Sequence, residues 1–413
     1  MFFFTSPATW FVNWFVRRTT WSSILLAPLW KTGIMSTTQV PLTAHFICNI
    51  LPVEILVIIF EEHAKLEWWA PAIDGQVCRL WRQIILNAPR AWAYLDIYDN
   101  RPSEVELCSW LRRSGTAPLH IRVSFDFTFD KEISTTTLYD ILCVHHTRIT
   151  SLRMKMGKLS FFEGRDFPSM RHLDVQRWPT SLSPTARWGL MPQLRSLRLG
   201  VTHLAVTPLD GIFSLKFLAL NCINCAFLPR QAPSLMTLMI ENVSLEDVIT
   251  GPIPFPSLTY LSLYNVTGLK PHMDAPHLIT YHEGGNTIIE SIPMSLNSIK
   301  EYGVYHLEST VPDLTTWHPA LTNVSTLSIR AYSRVLVDFL KSLAGHPHLL
   351  PALRVISVRG IAGILAKDDE RLIRENVQLR SKACQVDIAL YIEGELPFQI
   401  PMFLGRVSHW SIR

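Results

Sequence analysis

Chemistry in a protein first shows as side chains of the right type at the right spacing. Cys222-Ile-Asn-Cys225 has the spacing of a dithiol redox pair or of half a zinc site. A zinc site needs four ligands, and no second Cys-x-x-Cys or paired histidines follow at zinc spacing. The histidines fall as His145-His146, His272, His277, His282, and His346-x-His348, with neither His-Glu-x-x-His nor a ligand quartet. The chain has no Gly-x-x-x-x-Gly-Lys phosphate loop, no Gly-x-Gly-x-x-Gly after a strand and no Gly-x-Ser-x-Gly nucleophile turn. The expectation is a protein that is not an enzyme, with no catalytic residue, no metal and no cofactor.

Composition narrows the class. The 413 residues carry a formal charge of +4, with 48% hydrophobic and 17% charged residues. Disorder requires low hydrophobicity and high net charge, and neither holds. A charge of +4 on so long a chain leaves no polybasic footprint for nucleic acid. Seven cysteines form no paired framework, which fits reduced thiols in the cytoplasm and/or nucleus. The triplets Asn242-Val-Ser, Asn265-Val-Thr and Asn323-Val-Ser would accept glycans only in a secreted chain.

The elements that position any surface begin after a peculiar start. Residues 1–34 hold three consecutive Phe, four Trp and no acidic residue. Their two apolar runs, 10–16 and 24–30, fall short of the ~20 residues that span a bilayer. Residues 1–45 are taken as a dispensable or disordered leader, with Met35 beginning the working protein. An interfacial anchor in 1–34 is the alternative.

Residues 46–97 read as a small helical unit. Leu51-Pro52-Val-Glu-Ile-Leu-Val-Ile-Ile-Phe60 is a helix with Pro52 in its first turn and Ile55, Leu56, Ile59 and Phe60 on one face. Val53, Val57 and Ile58 make its other sides apolar too, so a partner or its own domain must cover it. A connector over 67–76 leads to a second helix, Val77–Leu86, with Val77, Cys78, Trp81 and Ile85 on one face. About fifty residues give too small a core for comfortable independence.

This segment resembles the F-box of fungal proteins that carry repeats after it. The family pattern Leu-Pro-x-Glu-Ile-Leu-x-x-Ile-Phe, then Val-Cys-Arg-x-Trp-Arg, then Pro-Arg-x-Trp is matched by Leu51, Pro52, Glu54, Ile55, Leu56, Ile59 and Phe60, by Val77, Cys78, Arg79, Trp81 and Arg82, and by Pro89, Arg90 and Trp92. The resemblance implies docking of Leu51, Pro52, Ile55, Leu56, Ile59, Phe60, Val77, Cys78 and Trp81 on the adaptor subunit of an SCF-type (cullin–RING) ubiquitin ligase, and through it on a cullin. Asp74-Gly75 departs from the family, where an apolar residue is common. Trp110-Leu-Arg-Arg-Ser-Gly-Thr-Ala-Pro-Leu resembles the segment that follows the F-box in the same proteins. It reads as a helix end, a glycine stop and a strand, Leu119–Val123. Residues 98–148 are assigned as linker and start of the repeats.

From residue 149 to 395 a phrase recurs, apolar-x-x-apolar-x-apolar. It starts at Ile149, Met170, Leu194, Leu215, Leu235, Leu258, Leu278, Leu296, Val324 and Leu353. The mean spacing, about 23 residues, lies within the leucine-rich-repeat window. Pro168, Pro192, Pro233, Pro256, Pro276 and Pro351 sit two residues before a phrase, where proline suits a turn. The position two after the strand is Asn, Cys or Gly, so Asn242 and Asn265 are expected to be structural. The phrases at 278 and 296 put Glu283 and Glu301 on core positions, which suggests local distortion. Lys367–Arg380 reads as a charged terminal helix and Val386–Ile392 as a closing strand, with a tail over 396–413.

The expected fold is α+β and multi-domain: a small helical F-box-like module, then an irregular α/β leucine-rich-repeat solenoid. Side chains between the inward positions line the concave face, and Arg153, Asp174, Arg198, Tyr260, Tyr264, Arg330 and Arg359 are the candidates to hold a protein substrate. His172, Gln176 and His282 lie on the same face. The expected function is that of the substrate-recognition subunit of an SCF-type ligase. A repeat scaffold or sensor without ligase activity, tethered through residues 1–34, is the alternative.

Overall fold

A computed structural model describes residues 51–97, 103–124, 135–156, 159–177, 189–201, 214–222, 232–244, 253–267, 273–285, 298–307, 319–360 and 367–393. The leader with its anchor alternative, Cys225, Leu296 and the 396–413 tail lie outside these residues. The chain divides into two units, one over 1–175 with 187–193 and the other over 176–186 with 194–413.

In the first unit, α1 (Val53–Leu66) buries Leu56, Phe60 and Ala64, a stripe at four-residue spacing. Pro52 stands just before the first turn in an extended conformation. Its carbonyl accepts from the N–H of Ile55 at 3.1 Å and of Leu56 at 3.2 Å. The expected connector holds a helix of its own, α2 (Ala70–Val77), begun by Pro71 at a position where a missing N–H costs nothing. Cys78 is extended (φ −157°, ψ 171°) and breaks α2 from α3 (Arg79–Leu86), its Sγ accepting from the Trp81 N–H at 3.4 Å. Thus three helices, not two, make the module, because Cys78 acts as a cap and not as a helical residue.

A 3-10 turn (Pro89–Trp92) carries Trp92 into the core with Leu56, Phe60, Trp81, Ile84 and Ile85. There the Trp92 indole N–H donates to the Ile85 carbonyl at 2.8 Å. The strand β1 (Tyr94–Ile97) follows, then α4 (Glu104–Arg113), opened by a reciprocal Ser103–Glu106 cap. Gly115 turns the chain at φ +51° into β2 (Leu119–Val123), the expected strand. The Trp110 ring packs on Trp92 at 4.8 Å and the Arg113 guanidinium lies 4.5 Å over Trp92. Arg148 then ties the turn, donating to Ser114 Oγ at 2.9 Å and to the Leu111 carbonyl at 3.0 Å. After α5 (Thr135–Cys143) come β3 (Ile149–Met156), the short α6 (Leu159–Phe162) and β4 (His172–Arg177). β1, β2 and β3 pair in parallel, with β4 next in order. The strand series therefore starts at Tyr94, before the first repeat phrase.

The second unit is one long parallel sheet, in the order β5 (Ser196–Val201), β6 (Phe217–Cys222), β7 (Thr237–Ser244), β9 (Tyr260–Thr267), β11 (Thr280–Gly284), β12 (Glu301–Leu307), β13 (Thr326–Ala331), β14 (Val355–Gly360), β15 (Ala389–Glu393). The short β8 (Ile253–Pro254) and β10 (Met273–Asp274) pair apart from it, also in parallel. Phrase positions such as Leu235, Leu238, Ile240 and Leu258, Leu261, Leu263 are buried, as parallel strands with a covered face require. The prolines have a defined place. In Phe255-Pro256-Ser-Leu258 the Leu258 N–H reaches the Phe255 carbonyl at 3.2 Å, and in Ala275-Pro276-His-Leu278 the same bond spans 3.2 Å. Each proline is thus second in a β-turn, where its fixed φ fits.

Asn242 within β7 and Asn265 within β9 have φ of +56° and +50°, the left-handed region that asparagine tolerates. Asn242 Nδ2 donates to Asn221 Oδ1 at 3.3 Å and Asn265 Nδ2 to Asn242 Oδ1 at 3.1 Å, a ladder across three strands. Both are structural, as expected.

The eighth repeat corrects the phrase. Tyr281 pairs with Tyr302 and Glu283 with Val304, so the buried phrase is Ile299/Tyr302/Val304 and not Leu296/Ile299/Glu301. Glu301 sits outside the core, and the register between β11 and β12 is regular. Glu283 is in the core, 2% exposed, and is held there by the hydroxyls of Tyr281 (2.9 Å) and Tyr302.

At the C-terminal end, α7 (Ser333–Gly345) and α8 (Lys367–Cys384) pack together. Arg380, on α8, is 1% exposed and donates to the main-chain carbonyls of Leu343, His346, Leu349 and Leu350. One guanidinium thereby ties α8 to the last turn of α7 and to the loop that follows it.

Candidate functional site

The residues singled out from the sequence lie on the helical module and the sheet face of the first unit and on the sheet face of the second. On the helical module these residues separate by burial. Leu56, Phe60 and Trp81 lie inside, the Phe60 and Trp81 rings meeting edge to face at 5.0 Å. They belong to the module's core and not to its surface. Leu51, Ile59 and Cys78 are half-buried and pack against that core. Pro52 is exposed, as are Ile55 (42%) and Val77 (45%).

Val53 and Ile58, expected on the other sides of the helix, are exposed too, and so are Leu66, Ile73, Leu80 and Leu86, which the expectation did not name. Ile55 and Ile58 share one face of α1, and Ile73 and Val77 one face of α2, by their three- and four-residue spacing. Periodicity could have found them, since the apolar positions of α1 exceed what one buried stripe uses. Large apolar side chains are thus exposed on all three helices of the module. Asp74 does not intrude on it. Its carboxylate is buried and turned to His63, with Oδ2 2.9 Å from Nδ1. Burial works to lower the His63 pKa, but the hydrogen bond and charge of Asp74, with Glu67 beyond, outweigh it and raise the pKa above the usual value.

In the first unit, the face of the sheet turned from the core carries Asp96, Arg122, Arg153 and Asp174 on neighbouring strands. Arg122 Nη1 lies 3.4 Å from Asp96 Oδ2, and Arg153 Nε 3.2 Å from Asp174 Oδ2. Arg153 and Asp174 thus pair with each other. Cross-strand pairs of this kind hold a sheet in register. Tyr94 stacks on His120 at 4.8 Å, and burial pushes His120 down to about 4, helped by the positive surroundings of His172, Lys65 and Arg171.

The same face of the second unit brings Tyr260, Tyr264, His282 and Tyr305 together over β9, β11 and β12. The hydroxyl of Tyr260 lies 2.9 Å from His282 Nδ1 and that of Tyr305 3.2 Å from it. Glu301 Oε1 stands 3.5 Å from His282 Nε2 and 3.5 Å from Ser328 Oγ. Burial lowers the His282 pKa, partly offset by Glu301, which favours the neutral ring, whose Nδ1 can accept from a tyrosine hydroxyl. Burial, with Glu301 nearby, pushes Tyr260 up to about 12.

The neighbours make room for these rings. A Cβ on Gly303 would lie 2.3 Å from the His282 ring, and one on Gly284 would lie 2.7 Å from the Tyr264 ring. Sequence reasoning named Tyr260, Tyr264 and His282 but missed Tyr305, because the eighth repeat was set out of register.

The remaining candidates are spread along the same sheet. The Arg198 guanidinium lies 5.7 Å over the Phe217 ring on the next strand. Arg330 on β13 is level with Tyr305 on one side and with Arg359 on β14 on the other. The side chain of Arg359 lies outside the described residues. On β7, Glu241 accepts from Asn221 Nδ2 at 2.8 Å, and burial alone pushes its carboxyl up to about 7.

Among the described residues no group of three or more His, Cys, Asp or Glu could hold a metal ion. Among the same residues no helix is long and apolar enough to cross a membrane. No protein-family model and no curated protein matches the chain. The arrangement presents two surfaces, an apolar one on the module and an aromatic, hydrogen-bonded one on the sheet.

Proposed function

We propose that this chain is the substrate-recognition subunit of an SCF-type ubiquitin ligase, an F-box module followed by a leucine-rich-repeat region. The observation that carries this reading is the exposed apolar surface of α1, α2 and α3, on the segment whose residues follow the F-box pattern. A unit of this size leaves such a surface open only for a partner, and the resemblance identifies the partner as the ligase adaptor. Pro52, Ile55 and Val77 make the contact, while Leu56, Phe60 and Trp81 hold the helices that present them.

The repeat region then supplies the substrate. Parallel repeats offer a broad face of variable side chains on a rigid sheet, and Tyr and Arg are favoured anchors at such faces. The chain's contribution to ubiquitin transfer is positioning. Tethering a substrate beside the conjugating enzyme raises its effective concentration near the reactive thioester without any catalytic residue in the receptor.

Co-purification of adaptor and cullin with the full chain tests this. Substitution of Ile55→Asp with Val77→Asp, both exposed, is expected to abolish co-purification while leaving the helical circular-dichroism signal intact. Retention of the adaptor by that variant would overturn the reading.

A further inference from the structure

We infer that the open sheet face between β7 and β13 recognises an extended basic segment of its partner, seating one Lys or Arg side chain at Glu301 among the tyrosines and a second at Glu241. The inference rests on the reading that this face receives the substrate, and names the substrate's chemistry.

Three observations converge. Glu301, with its side chain 40% exposed, has only the 3.5 Å contacts to His282 and Ser328 among the described residues, both at the outer limit of a hydrogen bond. Of these two neighbours only His282 can carry a charge, and burial lowers its pKa. Glu241 is likewise met by an amide, Asn221, and by no Lys or Arg among the described residues.

The second observation is the surroundings. Tyr260, Tyr264 and Tyr305 border these acids, and aromatic faces attract an ammonium or guanidinium group by their quadrupoles. A cation between an aromatic face and a carboxylate gains from both. The third is placement. Tyr264 is level with Glu241, and Tyr260 stands four residues before it, level through Thr280 with Glu301. Three strand steps of ~4.8 Å and four residues of ~3.3 Å set the acids roughly 20 Å apart. An extended chain covers that distance in about six residues. Arg330 bounds the site on the β13 side, where it would repel a third cation.

Glu241 adds a proton-linked signature. Its carboxyl is held up to about 7 by burial. Asn221 on β6 and Tyr264 on β9 flank it, and its own strand adds Met239 and Asn242. A basic side chain must displace the proton, so binding strengthens as pH rises through about 7.

The test is selection from a displayed library of random twelve-residue peptides on the full chain, at pH 8. The expected result is a several-fold enrichment of Lys and Arg, with pairs about six residues apart. It should disappear with Glu241→Gln/Glu301→Gln and persist with Arg371→Gln on α8, an exposed position away from this face. Acidic or charge-neutral winners, no enrichment, or a basic preference that survives the double substitution would each overturn the inference. Adaptor co-purification by the same double variant separates failure here from failure of the ligase reading, because those glutamates lie outside the helical module.

Discussion

His63 Nδ1 on α1 stands 2.9 Å from Asp74 Oδ2 on α2, and this pair fixes the two helices that expose Ile55 and Val77. The segment Asp74-Gly75, which departs from the F-box pattern, thus faces inward, and its carboxylate serves the module's interior.

A pH dependence follows from that pair. The His63 pKa is raised in the folded state, so the pair's contribution is complete below the unfolded value of about 6.5 and is lost as pH rises through the folded value. Asp74→Asn should therefore cost about 2 kcal/mol at pH 6, the range for a hydrogen bond to a charged group, and much less at pH 8.5. Thermal melts of the full chain at the two pH values measure this. An equal loss at both would show that the pair carries no proton-linked stability.

Glu283 provides a second case. A buried carboxylate is tolerable because the Tyr281 and Tyr302 hydroxyls both donate to it, and burial beside that charge raises the Tyr302 pKa well above its ordinary value. Tyr302→Phe should cost about 2–3 kcal/mol, since one donor to a buried acid is lost. Adding Glu283→Leu and Tyr281→Phe should recover part of it, because no polar group then remains unmet. Denaturant unfolding of the natural chain and the two variants reads the sign of the coupling.

The asparagine ladder makes a sharper steric prediction. A Cβ at Gly285, where φ is +60°, would lie 1.8 Å from Asn265 Oδ1. Gly285→Ala should destabilise the second unit by about 2 kcal/mol or more, through left-handed strain and the clash together. Asn265→Gly removes the ladder bond but keeps the backbone freedom, and should cost less. Hydrogen exchange at the β9 and β11 amides ranks the two.

Much of this was legible in the sequence, for physical reasons. Leu258, Leu261 and Leu263 announce a buried strand because their alternation is a direct image of the pleat, and Pro256 announces the turn because it can do little else. Tyr302 was illegible, because a tyrosine in a leucine position depends on a carboxylate one strand away that no local pattern reveals. α2 was hidden for a related reason: Pro71 and Gly75 read as breakers, but proline begins this helix and glycine is tolerated in its interior. The candidate adaptor residues mixed two roles that a helical face cannot separate. Leu56 and Phe60 turn in, Ile55 and Ile58 turn out, and only packing against Trp81 and Trp92 decides which.

The exposed residues of α1 and α2 are proposed to dock on a ligase adaptor. Calorimetric titration of the purified full chain with the purified SCF adaptor measures it most directly. Saturable one-to-one binding is expected, weakened at least 100-fold by Ile55→Asp/Val77→Asp. No binding by the natural chain, or the same affinity for both, would contradict it.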